Sequence, residues 1–324
     1  MILKINYISY VDPSCHQGGG EMVGRDIIHA AQARGHQISI SSVRPSQRIE
    51  FDESADLDLV VDLFNYPGTL KSLGAWRDFS GDFHEKILRR KRFVHLMNAY
   101  SDFCNQPYLP CSGDAKVKCP SKSITQFSSN LALKDFSGTC FSTRSLVQQF
   151  FSLSKLNIFV SPLHRDISLK ILSLDKVPPS YILKPTVDTT RFFNQGLERD
   201  IEYLFVGVIG EAKGLEEMRK RFSNSDIHFA GKLFPGVKLD FGKHHGAIAY
   251  EEVPQLMNRA KNFVFLPRWP EPQGRVVIEA ALCGCNLITN ERVGACSFPF
   301  DISNPQNFSN PTQELWEQIE KKYE

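Results

Sequence analysis

The segment at residues 263–289 constrains the fold of this chain more than any other stretch. An apolar run at 263–267 is followed by a proline-rich turn, by a helical pattern at 274–283 that Gly284 ends, and by a second apolar run at 286–289. Two buried strands joined through a helix run parallel, because the helix carries the chain back to the starting edge of the sheet. The sequence therefore predicts a βαβ unit and an α/β fold.

Two glutamates flank the start of the predicted helix. Glu271 precedes the helix and Glu279 lies inside it, with Gly274 and Arg275 between them. The first N–H groups of a helix are unpaired and attract phosphate, and a glycine leaves room for the phosphate to approach. Glu279 lies about 7 Å further along the axis, roughly the step from a diphosphate to its neighbouring ribose. Glutamates at this spacing also occur on surface helices, where they are simply solvated.

The segment resembles the glutamate, seven residues, glutamate signature of the family 4 retaining glycosyltransferases, which have the two-domain GT-B fold. In that family the first glutamate holds hydroxyls of the donor sugar, the glycine turn holds the diphosphate, and the second glutamate binds the ribose. The resemblance places these roles on Glu271, on Gly274 with Arg275, and on Glu279. It implies two Rossmann-like domains whose parallel sheets face each other across a cleft.

A glycine triplet near the start of the chain is a second candidate binding element. Gly18, Gly19 and Gly20 lie between a predicted strand at 2–9 and a predicted helix at 22–34. Glycines there let another molecule approach the backbone closely, although a plain flexible turn is the alternative. The segment resembles the glycine-rich loop of the same family, which faces the donor. It lacks the spaced glycines of a dinucleotide-binding loop, which argues against an oxidoreductase.

A third loop, after the first strand of the predicted second domain, contains Gly207 and Lys213. A lysine there would neutralise the negative charge that develops on a leaving diphosphate, and the other interpretation is an ordinary surface lysine. In the family an arginine follows the glycine directly, whereas this chain has Val208. We expect Arg275 or Arg268 to supply the missing positive charge.

The family's reaction centre includes a histidine, followed by several cysteines and a closing Cys-Pro pair. Here Met97 and Asn98 stand at the aligned position and His95 lies two residues earlier, so Asn98 and His95 are the candidates for that role. The cysteines are retained as Cys104, Cys111 and Cys119. Three cysteines with a histidine could form a zinc site. Because no cysteine pair has the tight two-residue spacing, free thiols are favoured over a metal.

The remaining chain alternates between strand and helix patterns, which is typical of parallel sheets covered by helices on both faces. A chain of 324 residues can bury two ordinary cores. The resemblance implies an acceptor-side domain at 1–187 and a nucleotide-sugar-binding domain at 188–310. The C-terminal helix at 311–324 either packs back on the first domain, as in the family, or is an ordinary core helix. Strands are also predicted at 227–231 and 246–250.

The net charge and the hydropathy of the chain limit which partners we expect, among them nucleic acids and membranes. The formal net charge of +2 gives no reason to expect a nucleic-acid surface over the whole protein. A basic helical stretch at 86–92 is either a solvated face or a contact for an anionic membrane or a phosphorylated acceptor. The chain start does not resemble a signal peptide and no apolar run is long enough to cross a bilayer, so we expect a cytoplasmic protein, free or peripheral to the inner face of a membrane.

Together these features predict a retaining glycosyltransferase of the hexosyltransferase type. It would move a sugar from a UDP- or GDP-linked donor to a hydroxyl of a glycan or a lipid-linked sugar. The resemblance implies that no cofactor or metal is required, since cations and helix N–H groups can stabilise the leaving diphosphate. Transfer to a modified DNA base or a protein, a nucleotide-sugar epimerase, and a non-catalytic nucleotide-sugar-binding module remain open alternatives.

Overall fold

The computed structural model describes residues 1–15, 18–44, 52–62, 82–100, 102 and 145–324. Elements are numbered over these residues. The first six strands are β1 Lys4–Val11, β2 Gln37–Arg44, β3 Leu57–Val61, β4 Phe93–Met97, β5 Asn157–Phe159 and β6 Ser180–Ile182. They form one parallel sheet in the order β2-β1-β3-β4-β5-β6. Its helices are α1 Gly19–Ala33, α2 Asp82–Arg90, α3 Ser145–Leu153 and α4 Pro162–Leu172.

A second parallel sheet follows an extended segment of the chain. Its strands are β7 Ile201–Val206, β8 Ile227–Ala230, β9 Lys243–His244, β10 Ala260–Phe265 and β11 Asn286–Thr289. Their order is β11-β10-β7-β8-β9. The helices are α5 Leu215–Phe222, α6 Val253–Arg259, α7 Arg275–Leu282 and α8 Pro311–Glu320. The predicted α/β fold with two parallel sheets is therefore confirmed, and the domain boundaries at 187 and 310 stay predictions.

The prediction of a strand at 246–250 is wrong. The edge strand forms earlier, at Lys243–His244, and Tyr250–Glu252 is a 3-10 turn that leads into α6. Gly246 has a φ of 76°, a left-handed conformation that ends an extended strand. The apolar side chains of Ile248 and Tyr250 pack against the second core instead of pairing with β8. Their hydrophobicity therefore reflects packing of a loop, which the apolar pattern alone does not distinguish from a strand.

The strand orders create one crevice in each sheet. In the first sheet β1 lies between β2 and β3, and in the second sheet β7 lies between β8 and β10. In the first sheet the connections after β1 and β3 cross opposite faces of the sheet, and in the second sheet the connections after β7 and β10 do the same. Each pair of connections therefore opens a gap at the carboxyl ends of its strands. The loops after β7 and β10 meet at one such gap, and the loops after β1 and β3 meet at the other.

Helix α8 packs against the first sheet's core. Trp316 is fully buried, and its indole Nε1–H donates to the Ile27 carbonyl at 2.9 Å. Glu320 accepts from Arg34 at 2.5 Å and from the buried His36 ring at 2.9 Å. The Leu3 backbone N–H donates to the other nitrogen of that ring at 3.2 Å. The last helix is thus held to α1 by one aromatic anchor and one carboxylate.

The basic stretch in and after α2 is largely used in ion pairs. Arg90 contacts Asp58 at 2.8 Å, Lys86 pairs with Glu53, and Arg89 lies 3.2 Å from Glu85. These pairs reduce the free positive charge that a membrane contact would use. No helix in the described part of the chain is long and apolar enough to cross a membrane.

We predict that Trp316→Ala lowers the free energy of unfolding by about 3–5 kcal/mol, because it empties a fully buried aromatic site. Trp316→Phe keeps most of that volume and loses the hydrogen bond to Ile27, so it should cost about 1–2 kcal/mol. Urea unfolding measures both. Equal effects of the two variants would show that packing of the ring does not hold α8 in place.

Candidate functional site

The loops after β7 and β10 bring Lys213 and Glu271 together. The Lys213 Nζ lies 2.5 Å from the Glu271 Oε2, and the two side chains are 20% and 17% exposed. Nζ also lies 5.6 Å from the centre of the Phe265 ring. Gly214 follows the lysine with a φ of 90°, and a side chain there would overlap the Leu266 carbonyl. The glycine therefore allows the two loops to cross closely enough for the ion pair to form.

The backbone around Glu271 is held by the segment after β11. The Glu271 N–H donates to the Arg292 carbonyl at 2.7 Å, and the Gly294 N–H donates to the Glu271 carbonyl at 2.9 Å. The two segments thus form a short parallel bridge between Glu271 and Val293. This bridge fixes the direction in which the carboxylate leaves the loop.

The same loop is also bonded to the first sheet. Ser161, which caps α4 by accepting from the His164 N–H at 3.0 Å, donates its hydroxyl proton to the Pro272 carbonyl at 2.5 Å. The Gln273 side-chain amide donates to the Val160 carbonyl at 2.9 Å. Both side chains are at least nine-tenths buried. The loop at 271–274 therefore sits where the two sheets meet.

Helix α7 begins immediately after this loop with an uncapped N-terminus. Gly274 is its N-cap, in the left-handed conformation with φ 73° and ψ 48°, and no side chain caps the first N–H groups. A Cβ on Gly274 would lie 3.1 Å from the Val293 Cγ1. An unpaired helix start with positive partial charge is therefore placed beside the Lys213–Glu271 pair.

Glu279, one turn into α7, lies in a small hydrogen-bonded cluster. It is 4% exposed, and its Oε1 accepts from the Tyr250 hydroxyl at 2.7 Å and from the Arg275 Nε at 2.9 Å. The Arg275 Nη2 also donates to the Tyr250 oxygen at 2.9 Å. Burial raises the pKa of Glu279, and the positive charge of Arg275 opposes that rise. The Arg275 Nη1 is buried with no hydrogen-bond partner among the described residues, so one donor of the cluster is left for a ligand.

Arg268 and Arg275, the two candidates to replace the arginine missing at Val208, lie in different surroundings. Arg268 is exposed, its guanidinium lies 5.3 Å from the Trp269 ring, and it lines a groove of about 450 Å³ together with Glu211. Arg275 instead contacts Glu279 directly. Val208 is 47% exposed, and Gly207 beside it has a φ of 139°.

The two candidates for the reaction centre also differ. His95 is fully buried, with its Nε2 2.7 Å from the Asp102 Oδ2 and its ring edge-on to Phe150 and Phe151. Asn98 is partly exposed, and its backbone N–H donates to the Asp62 Oδ1 at 2.9 Å. The structure therefore places Asn98, and not the His95 ring, at a surface that a substrate can reach.

The glycine triplet lies at the start of α1. Gly18 is the N-cap, Gly19 has no atom within 4 Å of an added Cβ, and a Cβ on Gly20 would lie 3.3 Å from the Asn98 Cβ. The Glu21 carboxylate folds back against Gly18. Neither helix start has a side-chain cap; Gly18 and Gly19 are exposed with the Glu21 carboxylate beside them, whereas Gly274 at the start of α7 is buried.

The cysteines Cys104, Cys111 and Cys119 lie outside the described residues. Within the described ranges no group of three or more His, Cys, Asp or Glu side chains is arranged to hold a metal ion.

The positions of Tyr250 and Gln273 at the candidate site, and the contact that Ser161 makes with it, were not predicted from the sequence. Tyr250 was expected in a strand, and a glutamine between two motif residues carries no signal of its own. Ser161 was the one with a local signal, because a serine before a proline is a common helix start.

Gly274→Ala should lower the free energy of unfolding by more than Gly196→Ala does. Both positions have positive φ, 73° and 66°, which costs a non-glycine residue about 1–2 kcal/mol. A side chain at Gly196 meets nothing within 4 Å, whereas one at Gly274 presses on Val293. Urea unfolding of both variants measures the difference. An equal loss would mean that the Val293 contact relaxes freely and that the start of α7 is not tightly positioned.

Comparison with known proteins matched no family model and no curated relative. Among solved structures, sucrose-phosphate synthase from Thermosynechococcus elongatus superposes with a TM-score of 0.59 at 15% identity, covering 98% of this chain and 90% of that one. The Anabaena protein HepE, solved with UDP and glucose, gives 0.53 at 13% identity, covering 99% and 96%. Starch synthase IV from Arabidopsis thaliana, solved with ADP and acarbose, gives 0.54 at 11% identity, covering 99% and 93%. The chain therefore has the fold of the GT-B glycosyltransferases.

Proposed function

We propose that the protein is a retaining glycosyltransferase that moves a sugar from a nucleotide-diphosphate sugar to an acceptor hydroxyl. The observation that carries the proposal is the uncapped start of α7 at Gly274, with the Lys213–Glu271 pair beside it. Such a helix start binds phosphate, and a lysine and an acid next to it suit a diphosphate that carries a sugar. The shared fold with proteins solved with UDP or ADP supports the same proposal.

The diphosphate would be held by the first N–H groups of α7, by Lys213 and by Arg275. Lysine contributes a compact positive charge, and Arg275 contributes the buried Nη1 that has no partner among the described residues. Arg275 would thereby replace the arginine that the family carries where this chain has Val208. These groups stabilise the negative charge that the leaving diphosphate gains in the transition state.

Both cations of the proposed site are paired with the acids that are expected to bind hydroxyls. Lys213 contacts Glu271 at 2.5 Å, and Arg275 contacts Glu279 at 2.9 Å. A phosphate that attracts these cations would loosen both pairs and free carboxylate oxygens for the hydroxyls of the sugar and the ribose. Donor binding would then exchange one set of charge-assisted hydrogen bonds for another, and the site would keep its charges compensated throughout.

Glu271 would position the donor sugar and would not attack it. Cleavage of the bond between the anomeric carbon and the diphosphate leaves positive charge on the sugar and negative charge on the phosphate. In the retaining route that we propose, the acceptor hydroxyl attacks from the leaving-group side, and the phosphate oxygen takes its proton. The protein then supplies orientation and charge, which can account for much of such a rate enhancement without a protein nucleophile.

We further propose a UDP- or GDP-linked donor and an acceptor hydroxyl on a glycan or a lipid-linked sugar, used in the cytoplasm or at the inner face of a membrane. Residues 86–92 would be the contact with such a membrane, although their ion pairs with Glu53, Asp58 and Glu85 reduce its strength.

A thermal-shift screen against UDP-glucose, GDP-mannose and ADP-glucose tests the donor site. A ligand at 100 times its Kd stabilises the folded state by about 2.7 kcal/mol, so the matching donor should raise the Tm by about 5 °C. Lys213→Ala should reduce that shift, while Lys220→Ala, an exposed lysine on α5, should leave it unchanged. The proposed site is contradicted if none of the three donors raises the Tm, or if Lys213→Ala and Lys220→Ala change the donor-induced shift by the same amount.

Transfer activity tests the role of Glu271. Loss of one group that positions charge in a transition state costs about 10²–10³ in kcat, so Glu271→Ala should lose most of its activity. Release of nucleoside diphosphate from the matching donor measures it. Glu291→Ala, an exposed glutamate, is the control that should keep wild-type rates. Wild-type release by a folded Glu271→Ala protein would remove the role assigned to this acid.

A further inference from the structure

Tyr250 and Arg275 lie between Glu279 and a cleft that faces α1. The cleft measures about 630 Å³ and is lined, among others, by Tyr250, Arg275, Arg25 and Thr186. This volume falls within the range of about 300–1,000 Å³ that is typical of small-molecule sites. Glu279 does not line the cleft and is only 4% exposed. A ligand that enters the cleft therefore meets Tyr250 and Arg275 before it can reach the carboxylate behind them.

The Tyr250 hydroxyl both donates and accepts a hydrogen bond within this cluster. It donates to the Glu279 Oε1 at 2.7 Å and accepts from the Arg275 Nη2 at 2.9 Å. Burial, and then the charge of Glu279, raise the pKa of Tyr250, so the proton stays on the phenol oxygen. The carboxylate of Glu279 is thus held by one neutral donor, Tyr250, and by one cation, Arg275.

A ribose hydroxyl offers a carboxylate the same kind of donor as the Tyr250 hydroxyl does. Under the proposed function the nucleotide reaches Glu279 from the cleft while its phosphates lie at the start of α7. Its ribose must then replace one of the two groups that cover Glu279. Tyr250 is the one that can be exchanged, because the positive charge of Arg275 compensates the buried acid and is costly to remove.

The packing of the Tyr250 ring is separate from the bonds of its hydroxyl. The residue begins the 3-10 turn Tyr250–Glu252, outside the strands and the α-helices. Its ring centre lies 5.5 Å from that of Phe192 and 5.4 Å from the Arg191 guanidinium, both in the extended segment before β7. Tyr250→Phe keeps these ring contacts and removes only the hydroxyl. The two contributions can therefore be measured apart.

We propose that the Tyr250 hydroxyl occupies, in the unliganded protein, the position on Glu279 that a ribose hydroxyl of the nucleotide takes, and that it leaves when the nucleotide binds. The inference rests on the proposed function and adds an autoinhibitory contact to its donor site. The contact keeps Glu279 hydrogen-bonded when no ligand is present. It also lowers the apparent affinity for the nucleotide, because only the fraction of molecules with Tyr250 displaced can bind it.

Isothermal titration calorimetry with UDP, GDP and ADP tests the inference on wild type and Tyr250→Phe. The nucleotide that binds wild type most tightly should bind Tyr250→Phe about 5-fold to 10-fold more tightly, since a hydrogen bond no longer has to be broken. Without ligand, Tyr250→Phe should lower the Tm by about 2–4 °C, because Glu279 and Arg275 each lose a partner. The variant is thus less stable alone and binds more tightly.

Tyr203→Phe is the matched control. Tyr203 lies on β7 of the same sheet and packs on Phe222 with ring centres 4.8 Å apart, and its hydroxyl makes no hydrogen bond within the described part of the chain. This variant should keep the Kd of the nucleotide within about twofold of wild type. Inorganic pyrophosphate is the control ligand, because it has no ribose. Its Kd should differ by less than about twofold between wild type and Tyr250→Phe.

Two results would overturn the inference. If Tyr250→Phe binds the nucleotide no more tightly than wild type does, the hydroxyl does not compete with the ligand. If pyrophosphate gains as much affinity as the nucleotide, Tyr250 restrains Arg275 and does not hold the place of a ribose hydroxyl. A failure of all three nucleotides to bind wild type and Tyr250→Phe is a different outcome, since it contradicts the donor site of the proposed function and the inference falls with it.

Discussion

The loop at 271–274 is held from both sheets, and the arrangement of the candidate site depends on this constraint. Ser161 and Gln273 bond it to the first sheet, while the bridge between Glu271 and Val293 bonds it to the segment after β11. The direction of the Glu271 carboxylate and the start of α7 are therefore fixed by the same few backbone groups. A catalytic geometry needs this kind of support, because a displacement of about 1 Å can cost about 10²-fold in rate.

Charge compensation explains why the acids of the site are paired in the unliganded protein. Glu279 is 4% exposed, and an isolated carboxylate at that burial would be strongly disfavoured. Arg275 and Tyr250 supply its partners, and Lys213 does the same for Glu271. The groups that a diphosphate and its sugar would need are thereby kept folded together before any ligand arrives. Under the proposed function a ligand would replace contacts that already exist, so the site would not hold unpaired buried charge at any stage.

Much of the fold could be predicted from the sequence, for identifiable reasons, and the location of the site stays a prediction. The hydrophobic pattern of residues 263–289 changes from that of a strand to that of a helix and back, and the observed β10, α7 and β11 follow it closely. That Gly274 leaves room for a phosphate stays a prediction, whereas its left-handed φ of 73° is by itself a backbone reason for glycine. Tyr250 and the strand at 246–250 were mispredicted because the apolar run packs as a loop. The Lys213–Glu271 pair arises from strand order, which brings together residues far apart in sequence and leaves no local signal.

The two crevices differ in charge, and this difference gives the proposed reaction a direction. The crevice of the second sheet presents Lys213 and Arg275 beside the start of α7, whereas the carboxylate of Glu21 lies beside the start of α1 at the first crevice. Under the proposed function a diphosphate would be attracted to the second crevice, which would orient the donor. Its sugar would then project toward the loop after β4. The orientation of the donor would thus follow from the cations that the loops of the second sheet bring together.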